Sequence, residues 1–391
     1  MNRKRKILIL SCQGGGGHMS AASAIESYLS EYDVKTADAI GNVLAHLDPL
    51  FYLSFGRYTG QDIYNFLLKH NKKQLINFFF HIGTFLIKRY KRGLKKSLTH
   101  YFKAESPDLI ISVIPLFNNV IAEVAANQSI PVLIVPTDFD INTFISGVQA
   151  SRLKNIGICL SIDDSEINTI LKNEHSIEKD TVNITGFPVR SSFFEQKDIR
   201  ALKRKFNINP AKPILMLVMG ATGSTATINY IKKLCSISHP FHIIACIGRS
   251  KHLRKFIEKI KLPSHISITV IDSSEDISDV MAIADLCITK PGSVTFAELL
   301  YMNLPIIIDN TTTALLWEQL NLSLLTRYNL GDIITDYNQI ESKVSAYLTS
   351  ELLRQQIQDN IRKLPKKHFG TELTHIVKKL FNESVSENSK I

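Results

Sequence analysis

Lys290-Pro-Gly-Ser-Val-Thr-Phe-Ala-Glu298 lies between the apolar run Leu286–Thr289 and a helical pattern carried by Ala297, Leu299 and Leu300. That order reads as a buried strand, a tight glycine turn and the opening of a helix. Gly292, Ser293 and Thr295 place amide and hydroxyl donors where a helix end attracts an anion. Glu298 follows about one turn into the helix, where a carboxylate can accept both hydroxyl hydrogens of a ribose. A phosphate cradle followed by a diol acceptor describes a nucleotide-sugar pocket.

Outward from this stretch, further strands are expected at 214–219, 242–247, 266–271 and 305–308, with helical segments between them. Met219-Gly-Ala-Thr-Gly-Ser-Thr225 follows the first of these, so Gly220 and Gly223 can bring backbone amides against a phosphate. It lacks the Gly-Lys-Ser/Thr ending of a P-loop, which argues against an NTPase. A plain strand-to-helix turn is the simpler alternative, weakened by the second glycine loop at the same expected sheet edge.

The first half repeats the theme. Residues 6–11 read as a strand, Gln13-Gly-Gly-Gly-Gly-His18 as a loop, and 20–30 as a helix with Ala21, Ala24, Ile25, Tyr28 and Leu29 at helical spacing. Four glycines forfeit much backbone entropy, which close approach to a ligand would justify, and Gly17 and His18 then stand at the helix mouth. The positive end of that helix favours a neutral imidazole available as a base; the alternative is a flexible turn with a surface histidine. Strands at 109–114, 131–136 and 156–161 complete a parallel, doubly wound series.

Thr185-Gly-Phe-Pro-Val-Arg190 interrupts the pattern, and a polar connector with a short helix runs from 191 to 212. The expected organisation is α/β, two Rossmann-like doubly wound domains facing a cleft, with domains at 1–187 and 188–355, and a helix with a polar tail at 356–391. Residues 383–391 are polar enough to be disordered.

Composition sets outer bounds. The 391 residues exceed one ordinary core, and the formal net charge of +10 points to acidic partners such as nucleic acid, anionic lipid or phosphorylated substrates. The five cysteines (12, 159, 235, 246, 287) contain no CxxC pair and fit buried, reduced thiols in a cytosolic protein. The apolar core at 7–10 is too short for a signal peptide, and no apolar stretch reaches the ~20 residues that span a bilayer.

Between the first βα unit and residue 109 lies an insertion rich in Phe, Tyr and Lys. Lys73, Asn77, His81, Thr84, Lys88, Lys91 and Lys95 recur every three or four residues, as one polar stripe on a helix whose remainder includes Phe79 and Phe80. Lys88, Arg89, Lys91, Arg92, Lys95 and Lys96 crowd its end, each adding ~1 kcal/mol of attraction to an anionic leaflet. Such a helix can lie in a membrane interface. A core helix with a solvated basic end is the plainer reading, and nucleic-acid binding is disfavoured because the aromatics would be buried.

Together these motifs resemble the GT-B glycosyltransferases, and within them the diacylglycerol glucosyltransferase and monogalactosyldiacylglycerol synthase family. The resemblance runs in order through His18, Thr137-Asp138, residues 185–190, Gly220 to Gly223, Gly248-Arg249, residues 290–298 and Glu318-x-x-Asn321. The enzyme that adds N-acetylglucosamine to lipid I has similar motifs. The resemblance implies inverting, metal-independent transfer of glucose or galactose from a UDP-sugar co-substrate to diacylglycerol, at the cytoplasmic face of the membrane. It assigns diphosphate to Gly292, Ser293 and Thr295, ribose to Glu298, the uridine side to Arg190, and donor-sugar hydroxyls to Glu318 and Asn321. Gly17, Gly220, Gly223 and Arg249 complete the implied donor site. His18 matches the family's candidate base, with Asp138 as a second base or an orienting carboxylate. No cofactor, metal or nucleic-acid partner is implied. Lipid I-type transfer and a non-catalytic nucleotide-sugar or membrane binding module are the rival readings.

Overall fold

The computed structural model describes residues 3–388 apart from 15, 71, 151–154, 174–176, 178, 222 and 274–275. They form two compact units, one made of Met1–Ser191 with Pro365–Ile391 and the other of Ser192–Leu364. Gly15 of the first glycine loop, Thr222 of the second and 389–391 of the expected polar tail lie outside the described residues.

The first unit is built on a parallel sheet of β1 (Lys6–Ser11), β2 (Asp33–Asp38), β3 (Leu109–Ser112), β4 (Val132–Ile134), β5 (Ile156–Leu160) and β6 (Val182–Ile184). In space the order is β2-β1-β3-β4-β5-β6. The run Ile-Leu-Ile-Leu of β1 is wholly buried, as a parallel strand covered on both faces requires. Helix α1 (Gly17–Tyr28) leads from β1 to β2. The chain then returns past β1 to lay β3 on its other side, so the winding reverses between β1 and β3. Open α/β sheets bind ligands beyond the strand ends at such a reversal.

Between β2 and β3 the insertion forms α2 (Pro49–Leu53), α3 (Gly60–Lys69), α4 (Lys73–Arg89) and α5 (Lys91–Glu105), and α6 (Asn118–Ala126) follows β3. The polar stripe expected on one helix is therefore divided at Tyr90 between α4 and α5. Leu94, Leu98 and Phe102, four residues apart, anchor α5 in the core, whereas α4 buries only Lys73 and Ile76.

The second unit repeats the plan with β7 (Ile214–Val218), β8 (Phe241–Cys246), β9 (Ile266–Ile271), β10 (Leu286–Thr289), β11 (Ile306–Asp309) and β12 (Gly331–Ile334), in the order β12-β11-β10-β7-β8-β9. Here the reversal falls between β7 and β10, the strands that lead into the two glycine loops.

Three strands escape the sequence reading, β2, β6 and β12, and each is a sheet edge. β2, only partly covered, reads Asp-Val-Lys-Thr-Ala-Asp and carries no apolar run, whereas the remaining edge, β9, alternates Ile and Val with polar residues and is legible. The C-terminal segment also divides. A helix at Glu351–Lys363 stays with the second unit, and after Pro365 the helix Phe369–Asn388 packs on the first. Its Phe369, Leu373 and Val377 are fully buried in one cluster with Ile7 and Ile9 of β1 and Ile25 of α1. Gly370 permits that approach, because a Cβ there would lie 2.2 Å from the Tyr28 ring. The expected disorder of 383–391 gives way to helix as far as Asn388.

Candidate active site

His18, the second residue of α1, stands beyond the end of β1 at the reversal of the first sheet. Its Nδ1 lies 2.9 Å from the carbonyl oxygen of Val113, just past β3, and 2.8 Å from Thr137 Oγ, just past β4. A carbonyl oxygen only accepts, so Nδ1 carries the hydrogen and Nε2 is left with the lone pair. Burial pushes the imidazole pKa down to about 4, partly opposed by the bond to Val113. The ring is thus neutral at ordinary pH. The neutrality expected from the helix end comes mainly from enclosure.

Around this histidine, Thr137 is buried and Asp138 half-buried. Within the Thr137-Asp138 motif, Thr137 Oγ lies within hydrogen-bond distance of the histidine. Burial pushes the Cys12 thiol up to about 12, with smaller pushes from Asp38 and Asp138, so Cys12 is a neutral thiol. Gly17 opens α1 behind Gly16, whose φ is 100°. Arg190 is half-buried at the end of the same unit.

In the second unit the loops after β7 and β10 flank the sheet reversal. A Cβ added at Gly220 or at Gly292 would meet no atom within 4 Å, so the backbone at both fronts open space. Gly223 (φ +71°) and Gly248 (φ +54°) interlock neighbouring loops: a Cβ at Gly248 would lie 2.2 Å from Ala221 O, and Arg249 N–H donates to that oxygen at 3.0 Å. The Arg249 side chain is exposed.

Gly292 caps the helix Ser293–Tyr301, with Ser293 and Glu298 buried and Thr295 half-buried. Asn321 contacts the same loop. It is fully buried, and its Nδ2 donates to Pro291 O at 2.6 Å and to Ser293 Oγ at 2.9 Å. Both amide hydrogens are spent on the glycine loop, while Oδ1 is buried without a hydrogen-bond partner, so Asn321 shapes the loop and keeps one acceptor unused. Glu318 is half-buried and accepts Leu315 N–H on Oε2 at 2.9 Å.

The helical insertion turns its aromatics outward. Phe55 on the turn after α2 is 96% exposed, and Leu53, Phe66, Phe78, Phe79 and Phe85 are exposed along α2, α3 and α4; Phe80 is half-buried. Exposed apolar surface on this scale marks an interaction face. Lys88, Arg89, Arg92 and Lys96 are exposed beside it. Lys91 and Lys95, expected in the same basic group, instead pair with Glu123 of α6. Their charge is committed to holding α5 against α6.

Among the described residues no group of three or more His, Cys, Asp or Glu stands where it could hold a metal ion, and no helix is long and apolar enough to cross a membrane.

Residues 18–189 match the family described as monogalactosyldiacylglycerol (MGDG) synthase, and residues 214–352 match the glycosyltransferase family 28 C-terminal domain. The processive diacylglycerol beta-glucosyltransferase of Bacillus licheniformis is 24% identical, over 93% of this chain and 92% of that relative. The protein of the same description from Bacillus subtilis is 22% identical, over 100% and 98%. Among solved structures, MurG of Acinetobacter baumannii aligns with a TM-score of 0.60 at 14% identity, covering 97% of this chain and 99% of that one. A ugt transferase from Siraitia grosvenorii in complex with UDP aligns with a TM-score of 0.59 at 11% identity, covering 97% and 100%. The structural likenesses establish the two-unit GT-B fold, and the sequence matches span both units. The chain is a GT-B glycosyltransferase whose first unit matches the monogalactosyldiacylglycerol synthase family and whose second matches the glycosyltransferase family 28 C-terminal domain.

Proposed function

We propose that the protein transfers a hexose from a UDP-sugar to the free hydroxyl of diacylglycerol with inversion, working at the cytoplasmic surface of an anionic bilayer. Glucose is the first donor to test, because the relatives are described as glucosyltransferases. The observation that carries the reading is His18, a neutral imidazole whose Nδ1 is held by Val113 O and whose Nε2 keeps its lone pair.

In the reaction Nε2 takes the proton of the acceptor hydroxyl as that oxygen bonds to the anomeric carbon. The bond from that carbon to the β-phosphate oxygen breaks, and UDP leaves with the electron pair. The open backbone at Gly220 and Gly292, the N-terminus of the helix Ser293–Tyr301 and the Thr295 hydroxyl stabilise the charge arriving on the diphosphate. Glu298 takes the ribose hydroxyls, Arg190 the uridine side and Glu318 a donor-sugar hydroxyl, with no metal required. The exposed aromatics of α2 to α4 enter the lipid interface while Lys88, Arg89, Arg92 and Lys96 meet anionic headgroups.

Purified protein should convert UDP-glucose or UDP-galactose and diacylglycerol vesicles to glycosyl-diacylglycerol and UDP. Absence of product from either hexose, with UDP-N-acetylglucosamine and lipid I turned over instead, overturns the reading.

A further inference from the structure

Helix α3 grips the glycine loop from outside the sheet. Gln13, which opens the loop, donates its backbone N–H to Gln61 Oε1 at 2.9 Å, and its carbonyl accepts from Asn65 Nδ2 at 3.1 Å. Gln61 and Asn65 are four residues apart, so both bonds come from one face of α3. A Cβ built on Gly14 would lie 3.7 Å from the Tyr64 ring, which closes over the loop between them. Gln61 Nε2 also reaches Asp38 Oδ2 at 3.4 Å, tying the same face to the end of β2.

Another side of α3 points away from the loop: Phe66 is exposed, as are Phe55 and Tyr58 on the turn leading into the helix. One short helix thus carries the polar contacts to the base loop and part of the apolar face turned outward. Hydrogen bonds open to water compete with it and are individually weak, so they order the loop only as firmly as α3 is itself held.

We propose that α3 transmits seating on an anionic lipid bilayer to the base loop, with Gln61 and Asn65 as positioning residues that set Gln13 and hence the approach to His18. This rests on the lipid-surface reading above and adds a consequence to it: the enzyme is ordered for turnover at the bilayer and less so in free solution.

The test uses the full chain, the substitutions Gln61→Leu and Asn65→Leu singly and together, and phosphatidylglycerol vesicles with and without diacylglycerol. The variants should float with vesicles and bind UDP as the unaltered protein does, with unchanged KM for the donor. Their kcat on vesicle-embedded diacylglycerol should fall about 10- to 100-fold, the scale of a misplaced reacting group. Amide exchange of the peptide containing Gln13 to His18 should slow about 10-fold on vesicles in the unaltered protein, and not in the double variant. Vesicle binding that protects α3 and α4 but leaves exchange of the loop unchanged overturns the coupling alone, as does a double variant with full kcat. Failure of the unaltered protein to bind vesicles overturns the lipid-surface reading itself, and the coupling with it.

Discussion

Val113 O lies 2.9 Å from His18 Nδ1, and this fixes which ring nitrogen is basic. A backbone carbonyl holds the tautomer without introducing a charge, leaving Nε2 as the proton acceptor. His18→Ala should therefore cost about 10²- to 10⁴-fold in kcat, the range of general-base catalysis, with UDP affinity by calorimetry unchanged. A variant retaining turnover would remove His18 from the chemistry.

Thr137 steadies the same ring from a second direction. Thr137→Val should lower kcat about 3- to 10-fold while leaving donor KM in place, and Thr137→Ser should restore most of it. Equal loss in both variants would point to packing and not to the hydroxyl.

The acid limb of activity follows from the pKa of about 4. Since the free enzyme's imidazole stays neutral until the pH falls to about that value, kcat/KM should be level through the neutral range and drop only near pH ~4, well below the usual histidine value of ~6.5. The stability linkage has the same origin. Between pH ~6.5 and ~4 the unfolded chain binds a proton at His18 that the folded chain refuses, so unfolding becomes easier as pH falls through that window. His242, also lowered to about 4 by burial, adds to this trend. A pH titration of urea midpoints in the unaltered protein and in His18→Gln would measure the His18 share.

Asn321 acts through the glycine loop after β10. Asn321→Leu deprives Pro291 O and Ser293 Oγ of their buried donor, a loss of ~1–3 kcal/mol in stability, and should weaken UDP binding about 10-fold. If UDP affinity and the melting temperature are both unchanged, the loop does not depend on this amide.

The two classes of lysine in the insertion should separate cleanly. Replacing Lys88, Arg89, Arg92 and Lys96 with Gln should reduce flotation with anionic vesicles, at ~1 kcal/mol per charge, and Phe78→Ser with Phe85→Ser should reduce it further. Lys91→Gln with Lys95→Gln should spare flotation and lower the melting temperature slightly, because these partners of Glu123 are partly exposed.

Buried strands and glycine loops were legible in the sequence because each has a local cause: apolar runs for strands closed in on both faces, and glycine where backbone meets open space. The edge strands β2, β6 and β12 were not, since they are short or polar where the fourth edge, β9, keeps its alternating Ile and Val. The roles of Val113, Gln61 and Asn65 were hidden for another reason. Val113 acts through its backbone, which any residue supplies, and the other two act through contacts about 50 residues away in the chain. The polar stripe located an amphipathic segment, but periodicity alone did not reveal that it breaks at Tyr90 into two helices or that Lys73 is buried while Phe78 and Phe85 are exposed.

Because Phe369, Leu373 and Val377 complete the core around β1, the unit whose strands leave the ribosome before residues 192–364 is completed after them. The 192–364 unit can close while the opening strands still wait for their final helix to emerge. A stop codon near residue 365 should thus spare the later-made unit and leave the earlier one to the chaperones and proteases.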